Sequence, residues 1–292
     1  MAKFRVTTPA TSANLGPGFD FCGVALDLYN VYDFSKSEEY ELVGFGDIKD
    51  NLVLSSYKYV FKKLKIEEVK VKIELVRQDI PVARGLGSSS SAIVAGVIAA
   101  IHFSNYKETN EENIIKMMVE LEGHPDNVLP CYYGGLITTI PMDNSFYINK
   151  INCSKDLRFI TMIPNYQVKT KKARKVLKKK YKREIVTLNS SRLVLFKDAF
   201  TYGDMDLFKL VLVDYVHEPF RKKLIKEYND LKALAINNNL PLIISGSGPT
   251  TILLCNNDVK ALVTKEDVLK ELPNLQVEIL KVSHGALGEE IE

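Results

Sequence analysis

Residues 80–101 read IPVARGLGSSSSAIVAGVIAAI. Gly85 and Gly87 are followed by four serines and a run of small apolar residues, so a tight turn feeds a buried helix predicted over Ser88–Phe103. Such a turn can offer backbone N–H groups, and the positive end of the helix, to a phosphate. The Walker A pattern G-x-x-x-x-G-K-[ST] fails because Ser88 follows Gly87, and the Rossmann pattern G-x-G-x-x-G fails at Ser90. A phosphate bound here needs its neutralising charge from elsewhere. Serine hydroxyls at the helix start can hold Mg²⁺, which takes over part of that task. A Gly-Ser loop can equally be a plain turn and helix cap, and alone it does not decide between the two readings.

Strands are expected on either side of this loop. Phe4–Thr8, Gly23–Phe34, Tyr40–Phe45 and Val69–Val76 read as strands, the last because VKVKIELV alternates apolar and charged residues. Helical spacing predicts helices over Leu52–Leu64 and Asn110–Glu122, the second with Ile114, Ile115, Met118 and Leu121 on one stripe and Thr109 or Asn110 as its cap. A second set follows: strands Arg158–Ile163, Leu242–Ser245, Thr250–Cys255 and Gln276–Val282, with helices around Lys171–Tyr181, Leu188–Tyr202, Phe220–Asn237 and Val259–Leu269. No repeat or linker separates the sets, so two regions, 1–155 and 156–292, are expected to share one cleft.

Composition bounds the class. A chain of 292 residues, 46% hydrophobic and 26% charged, can bury a large core without staples. Its four cysteines and four histidines form no C-x-x-C, H-x₃₋₅-H or H-E-x-x-H pattern, which argues against a disulfide framework or structural zinc and for a reducing cytoplasm. The longest uncharged apolar run, Ala92–Ile101, is ten residues, too short to span a bilayer, so no membrane partner is expected. The net charge of +3 hides a local concentration: ten of the fifteen residues in 169-KTKKARKVLKKKYKR-183 are Lys or Arg. That run is either a solvated face or the neighbour of an anion. A nucleic-acid partner would use it but would leave the glycine turns unexplained, and none is expected.

Three more turns of small residues join the opening loop: 9-PATSANLGPGFD-20, 122-EGHPDNVLPCYYGG-135 and 245-SGSGPT-250. In this order the four resemble the GHMP kinases, and among them the homoserine kinases, with 170-TKKAR-174 and 214-DYVHEPFR-221 as further family-like blocks. Ser90 and Ser91 stand where alanines are usual, Arg84 precedes Gly85, and NVLP and VLKKK replace NVAP and VLP.

The resemblance implies an α+β chain in two domains, the first like domain 2 of ribosomal protein S5 and the second ferredoxin-like. It implies transfer of the γ-phosphoryl of ATP to the side-chain hydroxyl of L-homoserine, with Mg²⁺, by a homodimer sensitive to threonine. Asn51 would help hold the adenine, although capping the next helix is an equal reading, and the phosphates would lie against Pro81, Val82, Ala83, Arg84, Gly85, Leu86, Gly87, Ser88, Ser89, Ser90 and Ser91. Ser89 would meet the metal with Glu120 or Glu122. Asn14, Asp20, His124, Thr170, Arg174 and Arg221 would surround the amino acid, Asp20 taking its ammonium and an arginine its carboxylate. Asp126, Asn127 and Arg174 would serve the transfer, Asp126 being either a base or a bystander to direct proton passage.

Overall fold

The computed structural model describes residues 3–46, 50–104, 106, 110–143 and 145–292. In chain order the first part runs β1 (Lys3–Ala13), β2 (Cys22–Lys36), β3 (Glu41–Val43), α1 (Leu52–Leu64), β4 (Val71–Gln78), α2 (Ser88–Ser104), α3 (Glu111–Glu122), α4 (Pro125–Tyr133), β5 (Leu136–Pro141) and β6 (Phe146–Ile151). The rest comprises β7 (Arg158–Ile163), α5 (Thr170–Lys175), α6 (Arg183–Leu193), α7 (Phe196–Tyr202), α8 (Met205–Val211), α9 (Glu218–Arg221), α10 (Tyr228–Asn237), β8 (Leu242–Ile244), β9 (Thr251–Cys255), α11 (Asp258–Glu271), β10 (Gln276–Leu280) and β11 (Leu287–Ile291).

A seven-stranded sheet in the order β11-β1-β2-β4-β3, with the β5–β6 hairpin joined to β2, carries α1 to α4. Its core is the inward set of each element: Val6, Phe34 and Ile73 from strands meet Tyr57 and Phe61 of α1 and Val94 and Val97 of α2. α2 is apolar around its whole circumference because helices and sheet surround it. A four-stranded antiparallel sheet, β10-β7-β9-β8, packs α10 and α11 through Leu231, Leu234, Ala261 and Val268. A third cluster, including Ala10, Leu26, Phe159, Phe200 and Ile243, joins the sheets and fixes the walls of the cleft between them.

Several expected elements differ. The Lys171–Tyr181 helix stops at Lys175, within a segment crowded with like charges. Leu188–Tyr202 divides into α6 and α7 at Leu195, which leaves helical geometry at φ −105°, ψ 5°. Phe220–Asn237 divides into α9, a 3₁₀ turn over Lys222–Leu224 and α10. The strand expected over Tyr40–Phe45 is only Glu41–Val43. Asn110 caps α3 by accepting from Asn113 N, while Thr109 lies outside the described residues. The division at residue 155 stands as a proposal, and β11 crosses it, pairing antiparallel with β1.

Candidate active site

The cleft holds a cavity of about 550 Å³. Of the phosphate-loop residues, Val82, Ala83, Arg84, Gly85, Gly87, Ser88 and Ser89 line it. Pro81 does not, Leu86 is in the core, and Ser90 and Ser91 are buried, with Ser91 Oγ 2.7 Å from Thr8 Oγ1. The loop is pinned by its own backbone. Ser245 Oγ donates to Gly85 O at 2.6 Å, Val168 N to Ala83 O at 3.2 Å, and Thr250 N to Arg84 O at 3.2 Å. The Arg84 guanidinium is committed to Pro164 O and Asn165 O, at 2.8 and 3.0 Å.

Gly85 and Gly87 have φ of +82° and +70°, and a Cβ on them would fall 2.3 Å from Ser245 O and 1.9 Å from Thr11 Oγ1. Gly85→Ala is therefore expected to displace the loop, weakening nucleotide binding at least about tenfold, since such left-handed strain is of order 1–3 kcal/mol before any clash. Calorimetric titration with a non-hydrolysable ATP analogue checks this, and unchanged affinity would contradict it.

The two carboxylates left open by the sequence are separated by their partners. Glu120 accepts from Lys63 Nζ at 2.7 Å and from the Tyr59 hydroxyl, outside the cavity. Glu122 lines the cavity and accepts from Ser89 Oγ at 2.8 Å. Burial raises the Glu122 pKa, with the Ser89 hydrogen bond and the His124 charge opposing it. A desolvated carboxylate beside a hydroxyl is an oxygen pair suited to a hard cation. Among the described residues no three His, Cys, Asp or Glu side chains cluster as a metal cage.

At the head of α4, Pro125 occupies the first turn and His124 precedes it in extended geometry. His124 Nδ1 lies 2.5 Å from Asp126 Oδ1. Burial opposes charging of His124, but the Asp126 hydrogen bond and the Asp126 and Glu122 charges outweigh it, and its pKa is raised. Asp126 is 2% exposed, and its Oδ2 has no hydrogen-bond partner among the described residues. Asn127 Oδ1 accepts from Thr11 Oγ1 at 2.8 Å.

Asn14, Thr170, Arg174 and Arg221 also line the cavity. Asp20 sits beside them, its backbone N–H held by Asn14 Oδ1 at 2.9 Å and its carboxylate gripped bidentately by Arg174 at 2.7 and 3.0 Å. Arg221 is different. It is 1% exposed, donates to Gly246 O at 2.8 Å, and has a buried Nε without a partner. Burial and the nearby Arg174 charge lower its pKa to about 10.

Asn51 caps α1 by accepting from Leu54 N at 3.0 Å, and it also lines the cavity. Around it are residues that the sequence reading missed: Tyr32 and Phe45, stacked with centroids 6.3 Å apart, with Leu52, Val53 and Leu75. They form an apolar part of a lining that elsewhere presents Glu122, Asp126, Arg174 and Arg221, a combination suited to a flat base attached to phosphates.

Residues 51–135 match the family described as GHMP kinases N terminal domain. The homoserine kinase of Clostridium beijerinckii is 35% identical, over 97% of this chain and 96% of its own length. The chain belongs to the homoserine kinase family. Another member, from Clostridium acetobutylicum, is 37% identical over 91% of this chain and 94% of its own. The crystal structure of homoserine kinase from Cytophaga hutchinsonii superposes with a TM-score of 0.86, at 26% identity, covering 98% of this chain and 97% of that one. A mevalonate kinase structure at 20% identity and a TM-score of 0.69 shares the fold. The α+β architecture with two sheets is thus the GHMP kinase one.

Within this homoserine kinase fold the basic run splits in two. Thr170 and Arg174 line the cavity, whereas Lys178, Lys179 and Lys180 are exposed and lie outside its lining. Replacing these three lysines with Gln is expected to leave kcat/KM within a few-fold, because solvated charges act weakly. Arg174→Gln, which frees Asp20, is expected to lower it far more. Equal losses in the two variants would show that the whole segment acts.

Proposed function

We propose that the protein transfers the γ-phosphoryl group of ATP to the side-chain hydroxyl of L-homoserine, giving O-phospho-L-homoserine for threonine biosynthesis. The observation that carries this reading is Arg221, a buried guanidinium lining the cavity without a bonded carboxylate. Such a group is costly to bury alone, and a substrate carboxylate would complete it through two parallel hydrogen bonds. Asp20 would take the substrate ammonium. Its two oxygens offer about four acceptor positions, so it can do this while Arg174 stays attached.

Phosphoryl transfer asks mainly for alignment and charge neutralisation. The N–H groups of Gly85–Ser89 and the start of α2 would hold the phosphates, and Arg174 would face the transferring group. Ser89 and Glu122 would hold Mg²⁺, which when bound neutralises phosphate charge and polarises the phosphorus. Asp126 spends one oxygen on His124 and has the other buried, which favours a role in orienting His124 over removing the hydroxyl proton. Among the described residues no helix is long and apolar enough to cross a membrane.

ADP release measured over homoserine, mevalonate, galactose and threonine tests this reading. Homoserine alone is expected to support turnover. Turnover with mevalonate and none with homoserine would overturn it, since mevalonate has no ammonium for Asp20.

A further inference from the structure

We propose that Phe19 is a positioning residue for the amino-acid substrate, its ring being the platform on which both cavity guanidiniums are held. The Arg221 Cζ lies 5.1 Å from the ring centroid and the Arg174 Cζ 5.8 Å, both within the range of a cation–π attraction. The His217 imidazole stacks on the same ring, with centroids 5.4 Å apart and planes 25° from parallel.

The two arginines carry like charge into one cavity, and their fixed contacts are few. Arg174 is tied to Asp20, the group that must also receive the substrate ammonium. Arg221 has one carbonyl, Gly246 O, and a 3.5 Å contact to His217 Nδ1. An aromatic face adds attraction without using an acceptor, and stacking leaves the guanidinium N–H edge free for a carboxylate.

His217 keeps the platform uncharged. Its Nε2 faces Gly16 O at 3.1 Å, and a carbonyl only accepts, so the ring proton sits there and Nδ1 turns a lone pair toward Arg221. Phe19 follows the turn through Gly16, Pro17 and Gly18, which Gly18 N closes on Leu15 O at 3.1 Å, and sits in the next turn, which Cys22 N closes on Gly18 O at 3.1 Å.

The proposal rests on the reading that Arg221 takes the substrate carboxylate. Steady-state kinetics on the full chain would compare wild type with Phe19→Leu, Phe19→Tyr and trifluorophenylalanine at position 19, the last weakening the ring's negative face with little change of shape. Phe19→Leu is expected to raise KM for homoserine about tenfold, with KM for ATP within about twofold, as two partly desolvated contacts imply. Tyrosine should restore nearly all of the loss, and the fluorinated ring should fall between. If the leucine variant does not fold, the fluorinated ring decides alone. Unchanged homoserine KM with the fluorinated ring, or equal rises for ATP and homoserine, would overturn the proposal while leaving the kinase reading intact. Wild type inactive on homoserine would overturn both.

Discussion

Arg221→Leu is expected to lower kcat/KM for homoserine about 30- to 1000-fold, roughly 2–4 kcal/mol, the scale for a charged hydrogen-bond partner lost from a buried site. Arg221 lines the cavity, donates to Gly246 O, contacts His217 Nδ1 at 3.5 Å, and has no carboxylate bonded to it. Removing it strands a substrate carboxylate, whereas the empty protein loses little. Thermal stability is therefore expected to hold or rise, because a buried charge without a counter-ion is itself unfavourable. Lysine should recover only part of the activity, since it brings a point charge without the planar fork. With homoserine methyl ester, which has no carboxylate charge, wild type and Arg221→Leu should differ far less. Equal losses on acid and ester would assign Arg221 to the phosphates or the fold and move the carboxylate to Arg174.

Ser89→Ala is expected to reduce kcat more than it raises KM for homoserine, by about 30- to 1000-fold, because a metal ligand acts on charge that develops during transfer. Its hydroxyl is 2.8 Å from Glu122 Oε2, so Glu122→Gln should produce a loss of the same kind. Glu120→Gln supplies the contrast. Its carboxylate is paired with Lys63 and accepts from the Tyr59 hydroxyl outside the cavity, and its loss should leave kcat near wild type. Measurement at saturating Mg²⁺ separates metal affinity from transition-state stabilisation. An unchanged kcat for Ser89→Ala would remove that side chain from the site.

The four glycine-rich turns were legible because each needs backbone that only small residues supply, and the structure brings all four around one cleft. Regular helices such as α1 and α2 were legible from spacing. What the sequence concealed has local causes. α4 runs through Pro130, and its start signal, Pro125 in the first turn, lay inside a motif read for chemistry. β11 reads LGEEI, with no apolar alternation, since it is an edge strand held by pairing with β1. The Arg174–Asp20 pair joins residues 154 apart, and no local pattern announces it. Tyr32, Phe45 and Leu75 fall within expected strands and line the cavity, and the pattern that buries a side chain is the same whether its neighbour is protein or a ligand.

The most direct test of the whole account is the ³¹P NMR spectrum of the protein incubated with MgATP and L-homoserine. A phosphomonoester resonance split by two protons of a neighbouring CH₂ should grow as ATP falls and ADP appears, and should be absent without homoserine. ATP consumed to orthophosphate alone, or no ester with homoserine while another alcohol is phosphorylated, would contradict it.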